Sequence, residues 1–234
     1  ENSIALGGKR YDKLDDSNRT ATSAEGNQSF AAGGSVHAHG DFSIALGKDT
    51  NSYQRASFTM GGGNIAGNPD GNSADYSFAS AFGENNKALG RASFVSGNNN
   101  EVSGNNGVAF GESNIVRASD SISVGSDNIS DGNGNALFGN RNVAKDRYGF
   151  ASGTQNTVSS AYEGTALGLG HNVSGNYSLA AGVRNTVTNS AASVFGIGNS
   201  SSSDNQTVVG RYNKDDNDAA FIIGNGFTDY KQNA

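Results

Sequence analysis

Apolar residues alternate with small or polar ones along this chain in runs of about five, and each run closes on a glycine. Ser93-Phe94-Val95-Ser96-Gly97, Gly107-Val108-Ala109-Phe110-Gly111, Ser121-Ile122-Ser123-Val124-Gly125, Asn135-Ala136-Leu137-Phe138-Gly139 and Gly149-Phe150-Ala151-Ser152-Gly153 end on glycines spaced 14 apart. The series begins Gly7, Gly33, Gly47, Gly61, Gly83 and finishes Gly168, Gly182, Gly196, Gly210, Gly224; only the steps of 26, 22 and 15 after Gly7, Gly61 and Gly153 depart from 14. Period-2 alternation is strand grammar. Five residues at ~3.3 Å each cover only ~17 Å, so the chain must reverse at every glycine-bearing corner.

A strand this short buries no face alone, whereas stacked identical turns bury a continuous one. The spacing predicts an all-β fold: a single-stranded parallel β-roll, or solenoid, of 14-residue turns over 1–224, with a connector at 225–234 leading to a following domain. Each turn reads as two near-identical seven-residue halves, G-x-x-[N/S]-x-[V/A]-x and G-x-x-[S/G]-x-A-x. About fourteen turns at ~4.8 Å would stack to roughly 70 Å. Extra residues near 8–18 and 68–75 read as corner loops leaving the stack.

Faces follow from columns counted from each closing glycine as position 0. Positions +5 and +12 are small or β-branched: Val102, Val116, Val158, Val173 and Val187 in the first strand, and Ala5, Ala31, Ala45, Ala109, Ala151, Ala166 and Ala180 in the second. They suit a thin interior. Positions +11 and +13, on the opposite face of the second strand, are apolar too. They hold Ile4, Leu6, Phe30, Ile44, Leu46, Phe58, Met60, Phe94, Val108, Phe110, Ile122, Val124, Phe138, Phe150, Leu167, Leu179, Phe195, Phe221 and Ile223. A thin roll cannot turn both faces inward, and an apolar stripe this long does not persist on a soluble monomer. The first strand's outward positions are polar, as at Glu101 and Ser103 or Lys214 and Asp216. One sheet is therefore expected to face water and the other further copies of the chain about a long axis. Spacing alone leaves two or three copies open.

Asn2-Ser3-Ile4-Ala5-Leu6-Gly7 and Phe42-Ser43-Ile44-Ala45-Leu46-Gly47, within the phrase G-x-x-[S/N]-x-A-x-G-x-x-S-x-A-[L/I/F]-G, resemble the head repeats of YadA-like trimeric autotransporter adhesins. The resemblance covers nearly the whole chain. It implies a left-handed roll, a homotrimer with the apolar column as its core, and an extracellular site on a bacterial cell surface. It also implies adhesion to a surface glycan or to a matrix or receptor protein. The run from Val208 to Gly226 is similar instead to the segment that closes such repeats in phage tail fibres and some bacterial surface fibres. A virion tail fibre is the alternative setting it implies.

Composition changes this picture little. A Gly-, Asn- and Ser-rich chain can be disordered, but phased apolar columns argue against that here. There is no cysteine, so stability must come from stacking and assembly. No run of ~18 apolar residues spans a membrane, and any export signal is expected to lie outside residues 1–234. Net charge is −6 with scattered Lys and Arg, which excludes the basic stripe of a nucleic-acid binder.

Candidate chemistry is sparse. The loops offer Lys9, Arg10, Tyr11, Asp12, Asn68, Asp70 and Tyr76 as partner contacts, the tyrosines first because they give area and a hydroxyl at small entropic cost. His37 and His39 share an outward strand face, but no third ligand is visible, so no metal site is assigned. Asn100, Asn114, Asn128, Asn142, Asn156 and Asn185, with His171 in the same column, predict a ladder of stacked side-chain amides. The acids Asp15-Asp16 and Asp215-Asp216-Asp218 read as solvated runs rather than calcium ligands. No nucleophile with an adjacent base appears, so the chain is expected to be non-enzymatic and to carry no cofactor. A polysaccharide depolymerase would need paired acids lining a groove.

Overall fold

The structure is a computed structural model of the chain and describes residues 2–7, 21–71, 77–159, 162–228 and 230–234. The chain forms two compact units, Glu1–Asp120 and Ser121–Ala234. Each is a parallel β-solenoid, and among the described residues there is no helix long and apolar enough to cross a membrane.

In the first unit the five-residue strands Phe30–Gly34, Ile44–Lys48, Phe58–Gly62, Ser80–Glu84, Phe94–Asn98 and Val108–Glu112 pair in parallel with one another. Glycine faces glycine throughout, as at Gly47↔Gly61 and Gly97↔Gly111. The pairing Gly61↔Gly83 holds although 22 residues separate the two, so the longer step does not break the ladder. In the second unit the eight long strands from Ile122–Ser126 to Phe221–Asn225 repeat the arrangement, and Gly153↔Gly168 absorbs the 15-residue step in the same way.

The two halves of a turn are not equivalent. The half expected to form a second five-residue strand forms one of only two residues, such as Glu101–Val102 or Thr157–Val158. The cause lies at the corners. Asn99 (φ 56°) and Asn106 (φ 54°) are left-handed, and their equivalents in most turns are also non-glycine, so regular pairing survives only between them. The closing glycines do something else. Gly97 combines φ 125° with an approach so close that a Cβ would lie 2.0 Å from the Gly111 carbonyl oxygen. No side chain fits between successive turns there.

The interior is as expected. Ala31, Ala45, Val102, Ala109 and Val116 in the first unit, and Ala151, Val158, Ala166, Val173, Ala180 and Val187 in the second, are fully buried. Ala5 differs: it is exposed, having a described neighbouring turn on one side only. In the first unit Ser52 and Thr59 interrupt the apolar core and bond to each other at 3.0 Å.

The predicted amide ladder is present and buried. Each backbone N–H and side-chain amide donates to the preceding turn's Oδ1: Asn114 to Asn100 (2.9 Å both) in one unit, Asn142 to Asn128 and Asn156 to Asn142 (3.0–3.1 Å) in the other. The same Nδ2 of Asn142 also donates to the Phe138 and Gly153 carbonyls, both at 3.0 Å. His171 takes a place in this column. Its Nδ1 accepts the Asn185 backbone N–H (3.1 Å) and its Nε2 lies 3.0 Å from the Leu167 carbonyl, a pattern that requires the neutral Nε2–H tautomer.

The described residues between 226 and 234 turn back on the last strand. Gly224 bridges Asn233 in antiparallel fashion, Ala234 N–H donates to the Ile223 carbonyl (2.8 Å), and Gln232 N–H donates to the Tyr212 carbonyl (3.0 Å). These contacts occupy part of an edge that would otherwise be an open template for pairing.

Candidate functional site

Three surfaces carry side chains that the stack itself does not use. The first is the outer face of the long strands. Among the predicted column residues, Ile4, Leu6, Ile44, Met60, Phe110, Phe138, Leu167, Phe195, Phe221 and Ile223 are exposed, with Phe110 at 40% and Phe138 at 36%. Phe30, Leu46, Phe58, Phe94, Val108, Ile122, Val124, Phe150 and Leu179 are half-buried. Most turns place one large residue on this face, and it switches sides: Ser80 with Phe82, Phe94 with Ser96, Ala136 with Phe138, Phe150 with Ser152. Rings of adjacent turns touch, Phe82 with Phe94 at 5.4 Å, Phe94 with Phe110 at 5.3 Å and Phe138 with Phe150 at 5.9 Å between centroids. In the second unit Leu169, Val183 and Ile197, two residues beyond position +13, widen the same face. Their signal in the sequence is the alternation continuing past the closing glycine.

The second surface is a corner. Tyr148, Tyr162 and Tyr177 are exposed and stand edge to face in a row, 5.6 and 5.7 Å apart. Tyr148 (φ 60°) and Tyr177 (φ 55°) sit in the left-handed region, a conformation that costs a bulky residue about 1–3 kcal/mol. Of the loop residues singled out from the sequence, Lys9, Arg10, Tyr11, Asp12 and Tyr76 lie outside the described residues. Asn68 and Asp70 are exposed but engaged locally: Asn68 N–H donates to Gln54 Oε1 and Asp70 N–H to Asn68 Oδ1, both at 3.0 Å. Likewise Asp215 accepts from Ser200 Oγ (2.7 Å), and Asp216 Oδ1 accepts the backbone N–H groups of Asp218 and Ala219.

The third is a groove of about 530 Å³ on the short-strand face of the first unit, lined by Glu25, Ser35, His37, His39, Asp49, Asn51 and Tyr53. Here one expectation is corrected. His37 and His39 do have a third potential ligand, Glu25, which sits 14 residues before His39 and so directly beneath it in the stack. His39 Nδ1 is 2.7 Å from Glu25 Oε2, and Ser23 Oγ lies 2.8 Å from His37 Nδ1 and 2.9 Å from Glu25 Oε1. Tyr53, His39 and His37 stack face to face, with centroids 4.9 and 5.5 Å apart. Burial pushes the Glu25 carboxyl up, but hydrogen bonds from His39 and Ser23 and the nearby imidazoles outweigh it, leaving it below the usual carboxylate range. Burial holds the His37 imidazole below its ordinary value, with His39 adding to the effect and Glu25 opposing it.

No known family model matches this chain, and no curated protein matches it.

Proposed function

We propose that the chain is a non-enzymatic segment of an extracellular fibre, in which three copies wind together with their long-strand faces inward. The observation that carries this reading is the outer apolar face. In each unit apolar residues recur on this face turn after turn, large alternating with small in most turns, and among the described residues much of the face is open to solvent. Alternating bulk suits interdigitation with sister chains. The choice of three copies, and of a bacterial cell surface as the setting, rests on the resemblance of the repeats to YadA-like heads.

The polar outer face and the corners remain for contact with a glycan, matrix protein or receptor, and three weak sites on one assembly would multiply attachment through avidity. Tyr148, Tyr162 and Tyr177 are the contacts the geometry favours. A second reading, a phage or phage-derived tail-fibre segment, is favoured by residues 208–226 alone. A glycan and matrix-protein array probed with the intact oligomer tests the adhesive part. Specific retention that is lost on replacing the three tyrosines with alanine supports it; no retention on any feature contradicts it.

A further inference from the structure

We propose that Glu25, His37 and His39 form a binding site for a borderline divalent metal ion of the Zn²⁺ class. The three ligands come from two stacked turns whose relative position is fixed by the Ser23↔His37 and Ala24↔Ala38 pairings. Their ligand atoms already lie within 4.8 Å of one another. Zinc holds imidazole nitrogen and carboxylate oxygen at ~2.0–2.2 Å, so tetrahedral ligands stand roughly 3.3 Å apart. Closing the remaining distance, up to roughly 1.5 Å, needs only side-chain rotation at the rim of an open groove.

The donor set selects the ion. Two imidazoles and one carboxylate suit zinc, copper, nickel or cobalt, whereas calcium and magnesium take oxygen ligands. Three protein ligands leave a fourth position for water or for a group on a bound partner. Surrounding residues support the arrangement. Tyr53 stacks on His39 with ring planes 9° apart and limits its motion, leaving Glu25 and His37 to make most of the adjustment. Asp49, on the groove wall and paired with Lys48 Nζ at 3.6 Å, is a further carboxylate nearby. On binding, the metal would replace the His39–Glu25 hydrogen bond and displace Ser23 from His37.

The chain has three histidines, and His171 is buried with both ring nitrogens hydrogen-bonded, so imidazole-directed binding can arise only here. Isothermal titration of the full chain with Zn²⁺, alongside Glu25→Gln, His37→Ala and His39→Ala, tests the proposal, with circular dichroism confirming that each variant keeps its fold. The expected result is one ion per chain, with affinity reduced at least ~10-fold in each variant. Imidazole NMR signals of His37 and His39 should move with zinc while those of His171 stay. Unchanged binding in a His37→Ala/His39→Ala double variant would overturn the proposal, as would no saturable binding to the wild type below about 1 mM.

Discussion

Asn142 and Phe138 sit four residues apart in one turn, and their surroundings are opposite. The Asn142 side chain is fully buried, and both ends of its amide bond to neighbouring turns of its own chain. Phe138 points outward, 36% exposed, with its ring centroid 5.9 Å from that of Phe150. The inner corner is therefore satisfied within a single chain, while the outer face stays open to solvent. If copies assemble through that face as proposed, folding of a turn and assembly should respond to different substitutions.

The largest effect is expected from Phe110→Asp with Phe138→Asp. In the proposed assembly each of the two carboxylates would face desolvation without a partner, and assembly at micromolar concentration should be lost while the β-sheet signal remains. Assembly unchanged by the double variant would refute the assignment of that face. Next comes Asn142→Ala, which strands the Phe138 and Gly153 carbonyls and the Asn156 N–H inside the corner. We expect about 2–3 kcal/mol of lost stability by denaturant titration, with the same number of chains per particle.

Smaller still is a pH effect at His171, whose imidazole is held below its ordinary value chiefly by burial, against the hydrogen bond to Leu167. The unfolded chain takes up a proton there as pH falls below about 6.5, and the folded chain does so only at lower pH. Its contribution to stability is thus intact above that value and declines beneath it. His171→Asn restores the column's usual residue and should flatten that decline between about pH 6.5 and 5. The smallest change is at Ser123, whose buried hydroxyl has no hydrogen-bond partner among the described residues. Ser123→Ala should raise stability by up to about 1 kcal/mol in thermal unfolding, with assembly unaffected.

Much of this was legible in the residues because a 14-residue period ties every column to one environment. The inner alanines and valines, the asparagine ladder and the apolar outer column each follow from counting. What did not follow has local causes. The unequal halves of the turn depend on left-handed backbone at residues such as Asn99 and Tyr148, where composition gives no glycine to mark it. Glu25 escaped notice because the 26-residue step from Gly7 to Gly33 hides its register with His39. Leu169, Val183 and Ile197 follow their glycines and so fell outside the strand as counted. In the proposed assembly the number of chains would follow from packing between copies, which spacing within one chain does not encode.

Sedimentation equilibrium on the purified chain weighs the central claim directly. The account predicts one species of three times the 23.9 kDa chain mass, held together down to low concentration. A stable, soluble particle of 23.9 kDa with the outer phenylalanines open to water would contradict it.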